Sequence, residues 1–198
     1  GRDNVVLFDS QITRQARQRI NMQSSLRKAV ANQEFDLHLQ PQVSTHSGDV
    51  VGGEVLLRWM HSGQAMRSPA DFIPVLESSG MIVDVGLWVI RTSCEYLRNM
   101  LDQGLWTPDM QMAVNISPKQ FHDPQLITSL EHSLKSYDIR PDMLTLEVTE
   151  TLLIDDFESV VEKMKKIRNM GTRFAIDDFG SGYSSMIYLK RLPLDILK

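Results

Sequence analysis

The sequence holds a single cysteine, Cys94, so no intrachain disulfide can brace the fold. Its place in an apolar helical pattern marks a buried structural thiol rather than a nucleophile. No apolar run is long enough to span a membrane, and no signal peptide is expected. These absences lead us to expect a cytoplasmic chain, with a membrane anchor in a longer parent left open. Positive charge is not in excess: 21 Lys and Arg stand against 25 Asp and Glu, a formal net charge of -4. No global basic field therefore favours a nucleic-acid polymer as partner. His38, His46, His61, His122 and His132 lack paired metal spacing such as H-x-x-x-H, and each reads as structural or solvent-facing. There is no G-x-G-x-x-G or Walker sequence, which disfavours a nucleotide-binding doubly wound sheet, and no internal repeat or low-complexity tract.

What is present suits one domain with a substantial core: 198 residues, 42% of them hydrophobic. Residues 11–33 have a helical pattern with Arg14, Arg17, Arg19, Arg27 and Lys28 on its polar positions, a solvated helix rather than a nucleic-acid site. Phe35–Val43 and Val50–Trp59 read as strands joined by the short turn His46-Ser47-Gly48-Asp49, so this first pair is expected to be antiparallel. Ser68-Pro69 predicts a helix over Pro69–Ser79. Leu87, Ile90, Cys94, Leu97 and Leu101 mark a longer helix ending near Gly104. Then come a strand over Gln111–Ile116, a helix from Asp123-Pro124, a strand over Leu144–Val148, and a helix with Asp155 and Glu158 as a capping box and Gly171 past its end. A strand over Phe174–Ile176, a short helix, and Leu194–Leu197 complete the chain. Strand–helix alternation of this kind implies a parallel sheet with helices outside it.

The polar residues of these strands carry the chemistry. Phe174–Ile176 runs into Asp177 and Asp178, followed by a loop with Gly180 and Gly182. Two carboxylates at one centre repel unless a cation or proton compensates, and hard divalent ions such as Mg²⁺ or Mn²⁺ suit oxygen donors. For the dipeptide alone, a solvated Asp-Asp turn is the competing reading. Glu54 sits inside an apolar strand, where an isolated carboxylate is costly; an ion pair with Arg58 and a metal ligand are the two readings. Asn115, Glu147, Asp177 and Lys198 all lie near strand C-termini, the end that builds the active site of a TIM barrel.

In that order the residues resemble the EAL domain family. Glu54-Val55-Leu56-Leu57-Arg58-Trp59 resembles the signature E-A-L-L-R-W. Ala113–Ser117, Leu146–Glu150, Asp177–Ser185 and Leu192–Lys198 are similar to its later motifs, over roughly residues 35–198. The resemblance implies an α/β fold, a modified TIM-type (β/α)8 barrel with an antiparallel first strand, about six of whose eight strands are present here. It also implies hydrolysis of cyclic di-GMP to linear pGpG with two ions of Mg²⁺ or Mn²⁺, about 3.5–4 Å apart as in other two-metal sites. By motif, Glu54, Asn115, Glu147 and Asp177 would hold the metals and Asp178 the second ion and the substrate. Lys198 would steady the attacking water and the phosphate, Glu150 the loop after Asp178, and Gln40 and Arg58 would contact the dinucleotide.

The sequence departs from the family pattern at Val55 for Ala, Leu39 for Tyr, Ser62 for Pro and Ser181 for Thr. E-V-L signatures also occur in members that only bind the nucleotide. The rival functions are therefore a silent cyclic di-GMP receptor that signals to a protein partner and a structural barrel used for dimerisation. The resemblance further implies residues 1–33 as linker and N-terminal helix after an upstream GGDEF or sensory domain, and residues 34–198 as the barrel domain, C-terminally incomplete. A homodimer is expected, and a polypeptide ending at Lys198 is expected neither to close its barrel nor to turn over.

Overall fold

A strand that is apolar at successive positions must be covered on both faces, as parallel strands between helices are. Three segments are covered in that way, the middle one with Thr145 and Glu147 among its apolar residues: Met112–Val114, Leu144–Val148 and Phe174–Ile176 are buried at every position. The computed structural model describes residues 10–61, 64–153, 156–177 and 191–198. Outside the described residues lie the apolar run Val5–Phe8, Ser62, Asp155, and the segment 178–190 with Asp178, Gly180, Gly182 and the short helix expected after them.

The sheet is built from β1 (Phe35–Val43), β2 (Val50–His61), β3 (Gln64–Arg67), β4 (Gln111–Asn115), β5 (Leu144–Thr149), β6 (Arg173–Asp177) and β7 (Ile196–Leu197). Its order is β1-β2-β4-β5-β6-β7, with β3 paired to β2. β2, β4, β5, β6 and β7 are mutually parallel, and β1 is antiparallel to β2. This is the antiparallel first strand that the sequence led us to expect. The helices are α1 (Ser10–Ala31), α2 (Pro69–Ser79), α3 (Ile82–Asp102), α4 (Pro118–His122), α5 (Leu126–Ser136) and α6 (Phe157–Asn169). Leu26 and Ala29 near the C-terminal end of α1 are fully buried. Near the C-terminal end of β2, Trp59 packs edge-on to Phe72 of α2 at 6.0 Å and donates its indole N–H to Glu34 at 3.1 Å.

Local chemistry explains where elements start and where the expectations differ. Gly171 follows α6 at φ 103, a left-handed position that glycine occupies without a Cβ penalty. α4 was not foreseen, although Ser117-Pro118 repeats the Ser68-Pro69 pattern; the Ser117 hydroxyl accepts the N–H of Gln120 at 3.3 Å. Asp123-Pro124 does not open α5: the Asp123 carboxylate accepts the N–H of Gln125 at 2.8 Å in a local turn and the helix begins at Leu126. The residue before α6 is Asp156, left-handed at φ 50 with no side-chain cap, and Glu158 pairs with Arg191 at 2.6 Å; the expected capping box falls on Asp155, outside the described residues. In α3 the buried face begins earlier than foreseen, at Ile82 and Val85, with Leu87 and Leu101 on its margin. Cys94 is fully buried and its thiol is pushed up to about 12 by burial, so it is inert in the folded protein.

Gly52 lies opposite Gln111 in the β2–β4 ladder, and a Cβ there would run into the Gln111 carbonyl oxygen. Backbone cannot swing aside as a side chain can, so Gly52→Ala should destabilise the protein by about 1–3 kcal/mol through overpacking. The urea midpoint checks this, and an unchanged midpoint would mean that the two strands do not approach so closely.

Candidate active site at the strand C-termini

Side chains two residues apart on a strand share a face, and the register decides which of them meet across strands. Asn115 on β4 lies opposite Glu147 on β5, and Thr149 on β5 lies opposite Asp177 on β6. Glu54 on β2 pairs with Ala113 in the ladder, yet its carboxylate reaches along the strand to accept the Asn115 amide at 2.8 Å. Lys198 follows β7 and is fixed by its N–H donating to the Ile176 carbonyl at 2.9 Å. Its ammonium lies in a short contact with Glu147 Oε1 and 3.6 Å from Glu54 Oε2. β2, β4, β5, β6 and the residue after β7 thus deliver Glu54, Asn115, Glu147, Asp177 and Lys198 to one place.

Beside them is a cavity of about 380 Å³ that Glu54, Arg58, Asn115, Glu147, Thr149 and Asp177 help to line. Glu147 is 1% exposed. Its carboxyl is raised above the usual glutamate range, chiefly by burial; the nearby Glu54 and Asp177 charges add to this while Lys198 opposes it. Thr149 joins the cavity by a signal the sequence did offer, since it stands two residues after Glu147 on the same strand face. Glu77 of α2, another lining residue, had none.

The other expected residues fall as follows. Gln40 on β1 is exposed and sits opposite Glu54 in the hairpin register. The Arg58 guanidinium donates to the Leu57 carbonyl at 3.0 Å, while Glu54 is held by Asn115 and Lys198. The ion-pair reading of Glu54 with Arg58 is therefore corrected: four residues apart on a strand, the two side chains are too far along it to meet unaided. Glu150 is buried and opens the turn Glu150–Leu153. Val55 is 5% exposed and packs in the core, so the departure from the family signature removes no polar group from the site. Asp178 lies outside the described residues.

The donor set suits a hard divalent cation by its chemistry: three carboxylates and an amide, all oxygen donors. A second sign is Glu147 Oε2, buried with no hydrogen-bond partner among the described residues. Among those residues no three His, Cys, Asp or Glu side chains are gathered closely enough to hold an ion. The positive charge between Glu54 and Glu147 is the Lys198 ammonium.

Fold and site together define a TIM-type α/β domain with an acidic centre at the C-terminal rim of its parallel strands. The chain belongs to the EAL domain family, whose profile matches residues 23–198. It is 37% identical over 198 residues to the bifunctional diguanylate cyclase/cyclic di-GMP phosphodiesterase MucR of Pseudomonas aeruginosa. It is also 35% identical over 198 residues to the cyclic di-GMP phosphodiesterase NbdA of the same organism. The whole chain is aligned in both cases but spans only 29% and 25% of those relatives. Among solved structures it superposes on the MucR phosphodiesterase in complex with c-di-GMP with a TM-score of 0.83 and 38% identity, covering 89% of this chain and 71% of that one. On the EAL enzyme Bd1971 with cAMP and cyclic di-GMP bound, the TM-score is 0.86 at 31% identity, covering 92% and 50%.

The electrostatics of Glu147 can be tested without substrate. In metal-free protein its carboxyl should titrate above the ordinary glutamate value of about 4.3, and Lys198→Met should raise it further by removing the opposing charge. Because the folded-state value is raised, folding stability from this group is present at low pH and falls as pH rises through the window above the ordinary value. Carbon-13 NMR of the carboxyl reads the titration, and a value at or below the ordinary one would refute the burial argument.

Proposed function

We propose that this chain hydrolyses cyclic di-GMP to linear pGpG with two Mg²⁺ or Mn²⁺ ions. The observation that carries the reading is the convergence of Glu54, Asn115, Glu147 and Asp177 on one cavity, with the Lys198 ammonium against Glu54 and Glu147, in a chain 37% identical to a bifunctional protein named for this hydrolysis. Glu54, Asn115, Glu147 and Asp177 would hold the ions together with Asp178. When bound, such ions supply an activated water and charge stabilisation for an in-line displacement at phosphorus. The chain's own part is to place and neutralise. Lys198, already between two carboxylates, holds a positive charge beside the reacting phosphate. Arg58 offers a planar guanidinium that grips a phosphate or a guanine edge bidentately, and Gln40 offers an amide from the facing strand. Glu150, buried at the start of its turn, would steady the loop after Asp178. The silent-receptor and dimerisation readings gain no support from Val55, which faces the core.

The likeness to MucR supports a GGDEF-containing parent, and a homodimer belongs to the same proposal. Among the described residues no single helix is long and apolar enough to cross a membrane; we place the domain on the cytoplasmic side, whatever anchors its parent.

In the full-length protein, excess chelator should abolish turnover and Mg²⁺ or Mn²⁺ restore it. Glu54→Ala should cost at least about 100-fold in kcat, since residues that merely orient metal ligands already cost about 10–100-fold. Unchanged turnover in either experiment would sink the two-ion reading, and binding without any turnover in the metal-loaded protein would favour the receptor.

Arg58→Ala should act chiefly on KM, raising it by about 10–100-fold, the loss of one or two hydrogen bonds from a charged group. Steady-state kinetics separate the two parameters; a fall in kcat at constant KM would remove Arg58 from substrate binding.

A further inference from the structure

Strand β7 is two residues long, and its ladder to β6 consists of Ala175 opposite Ile196 and Ile176 opposite Leu197. Lys198 meets Glu147 and Glu54 only in this register. A slip of one residue would turn Lys198 to the other face and put Leu197, a hydrophobic side chain, in its place. So short a ladder holds its register weakly. At its N-terminal side, Asp195 supplies what is missing. The Asp195 N–H donates to the Phe174 carbonyl at 3.0 Å, and the Phe174 N–H donates to Asp195 Oδ2, also at 3.0 Å. Both backbone groups of one β6 residue are thus engaged by one β7-side residue. The other carboxylate oxygen accepts from Arg168 of α6 at 3.1 Å, which aims the carboxylate at Phe174. The Asp195 side chain is 24% exposed and that of Arg168 48%, so the ion pair itself adds little stability.

We propose that Asp195, oriented by Arg168, is a positioning residue for Lys198: its two-point grip on Phe174 sets the register of β7 and so delivers the Lys198 ammonium to Glu147 and Glu54. This rests on the reading of Lys198 as part of a phosphodiesterase site, and it adds a residue that does not touch the reacting atoms.

The experiment uses the full-length protein with Asp195→Ala, Asp195→Asn, Lys198→Met and the Asp195→Ala/Lys198→Met double variant. Misplacement of a catalytic group by about 1 Å can cost about 100-fold, so Asp195→Ala should lower kcat for cyclic di-GMP by about 10–100-fold with KM within about twofold. Asp195→Asn keeps an oxygen for the Phe174 N–H and should recover most of the rate. In the Lys198→Met background, Asp195→Ala should add less than about twofold, because residues that act through one another are not additive. Losses that multiply in the double variant, or an effect on KM alone, overturn the proposal. If Asp195→Ala does not fold, Arg168→Ala takes its place. It should show a smaller kcat loss that vanishes in the Lys198→Met background, and no loss at all overturns the proposal.

A second readout needs no turnover. The ¹⁵N resonance of an ammonium held between carboxylates is visible because its exchange is slowed. That of Lys198 should be present in the wild type and Asp195→Asn and lost in Asp195→Ala or, failing that, weakened in Arg168→Ala. A wild type without turnover would refute the proposed function, yet the resonance still decides the role of Asp195; its persistence unchanged in the variant overturns that role.

Discussion

Glu147 is almost wholly buried, and Glu54 and Asp177 are close enough to raise its carboxyl further. A carboxylate removed from water destabilises a fold unless it is paired and hydrogen-bonded. Here the pairing comes from Lys198, which lies five strands along the sheet from β1 and 51 residues along the chain from Glu147. The sheet must therefore hold its register from β2 through β7 for the charges to balance. The buried runs of β4, β5 and β6 provide that rigidity, since a one-residue slip would move the apolar set off the helices and the acids away from the rim. The need to neutralise a small acidic cluster and the need to cover an apolar parallel sheet are met by the same geometry.

The antiparallel β1 has a separate consequence. A parallel strand needs a long crossover, whereas the hairpin from β1 to β2 puts Gln40 directly opposite Glu54. Residues of one short segment thus flank the acidic centre from two strands, with Arg58 four positions beyond Glu54. The helices add little polar chemistry to the rim and chiefly apolar wall: Ile73, Ile82, Val85 and Val89 of α2 and α3. Such a cavity binds a ligand by apolar enclosure and reserves its few polar groups for orientation.

Membership of the EAL family gives the acidic rim its chemical meaning, but the polar pattern itself comes from this chain. Val55 illustrates the separation. As a sequence letter it breaks the family signature next to the first acid; as a side chain it packs in the core and leaves Glu54 on the opposite face of the strand.

The alternation of strands and helices, the antiparallel first pair, and the acids and lysine of the rim were all legible in the sequence. Each rests on local rules: side-chain period, the length of a connection, and the cost of a polar residue in an apolar strand. The family resemblance added the roles proposed for those residues. Tertiary structure decided the rest. Glu54 has a suitable basic neighbour in Arg58 but is held by Asn115 and Lys198, because a strand separates residues four apart while the sheet brings together residues 61 apart. Helix α4, the start of α5 and the uncapped entry to α6 likewise turn on which group the chain finds nearby: Glu158 finds Arg191, 33 residues away. A sequence states which groups must be satisfied; only the packed sheet, with its register fixed, determines which partner is within hydrogen-bond reach.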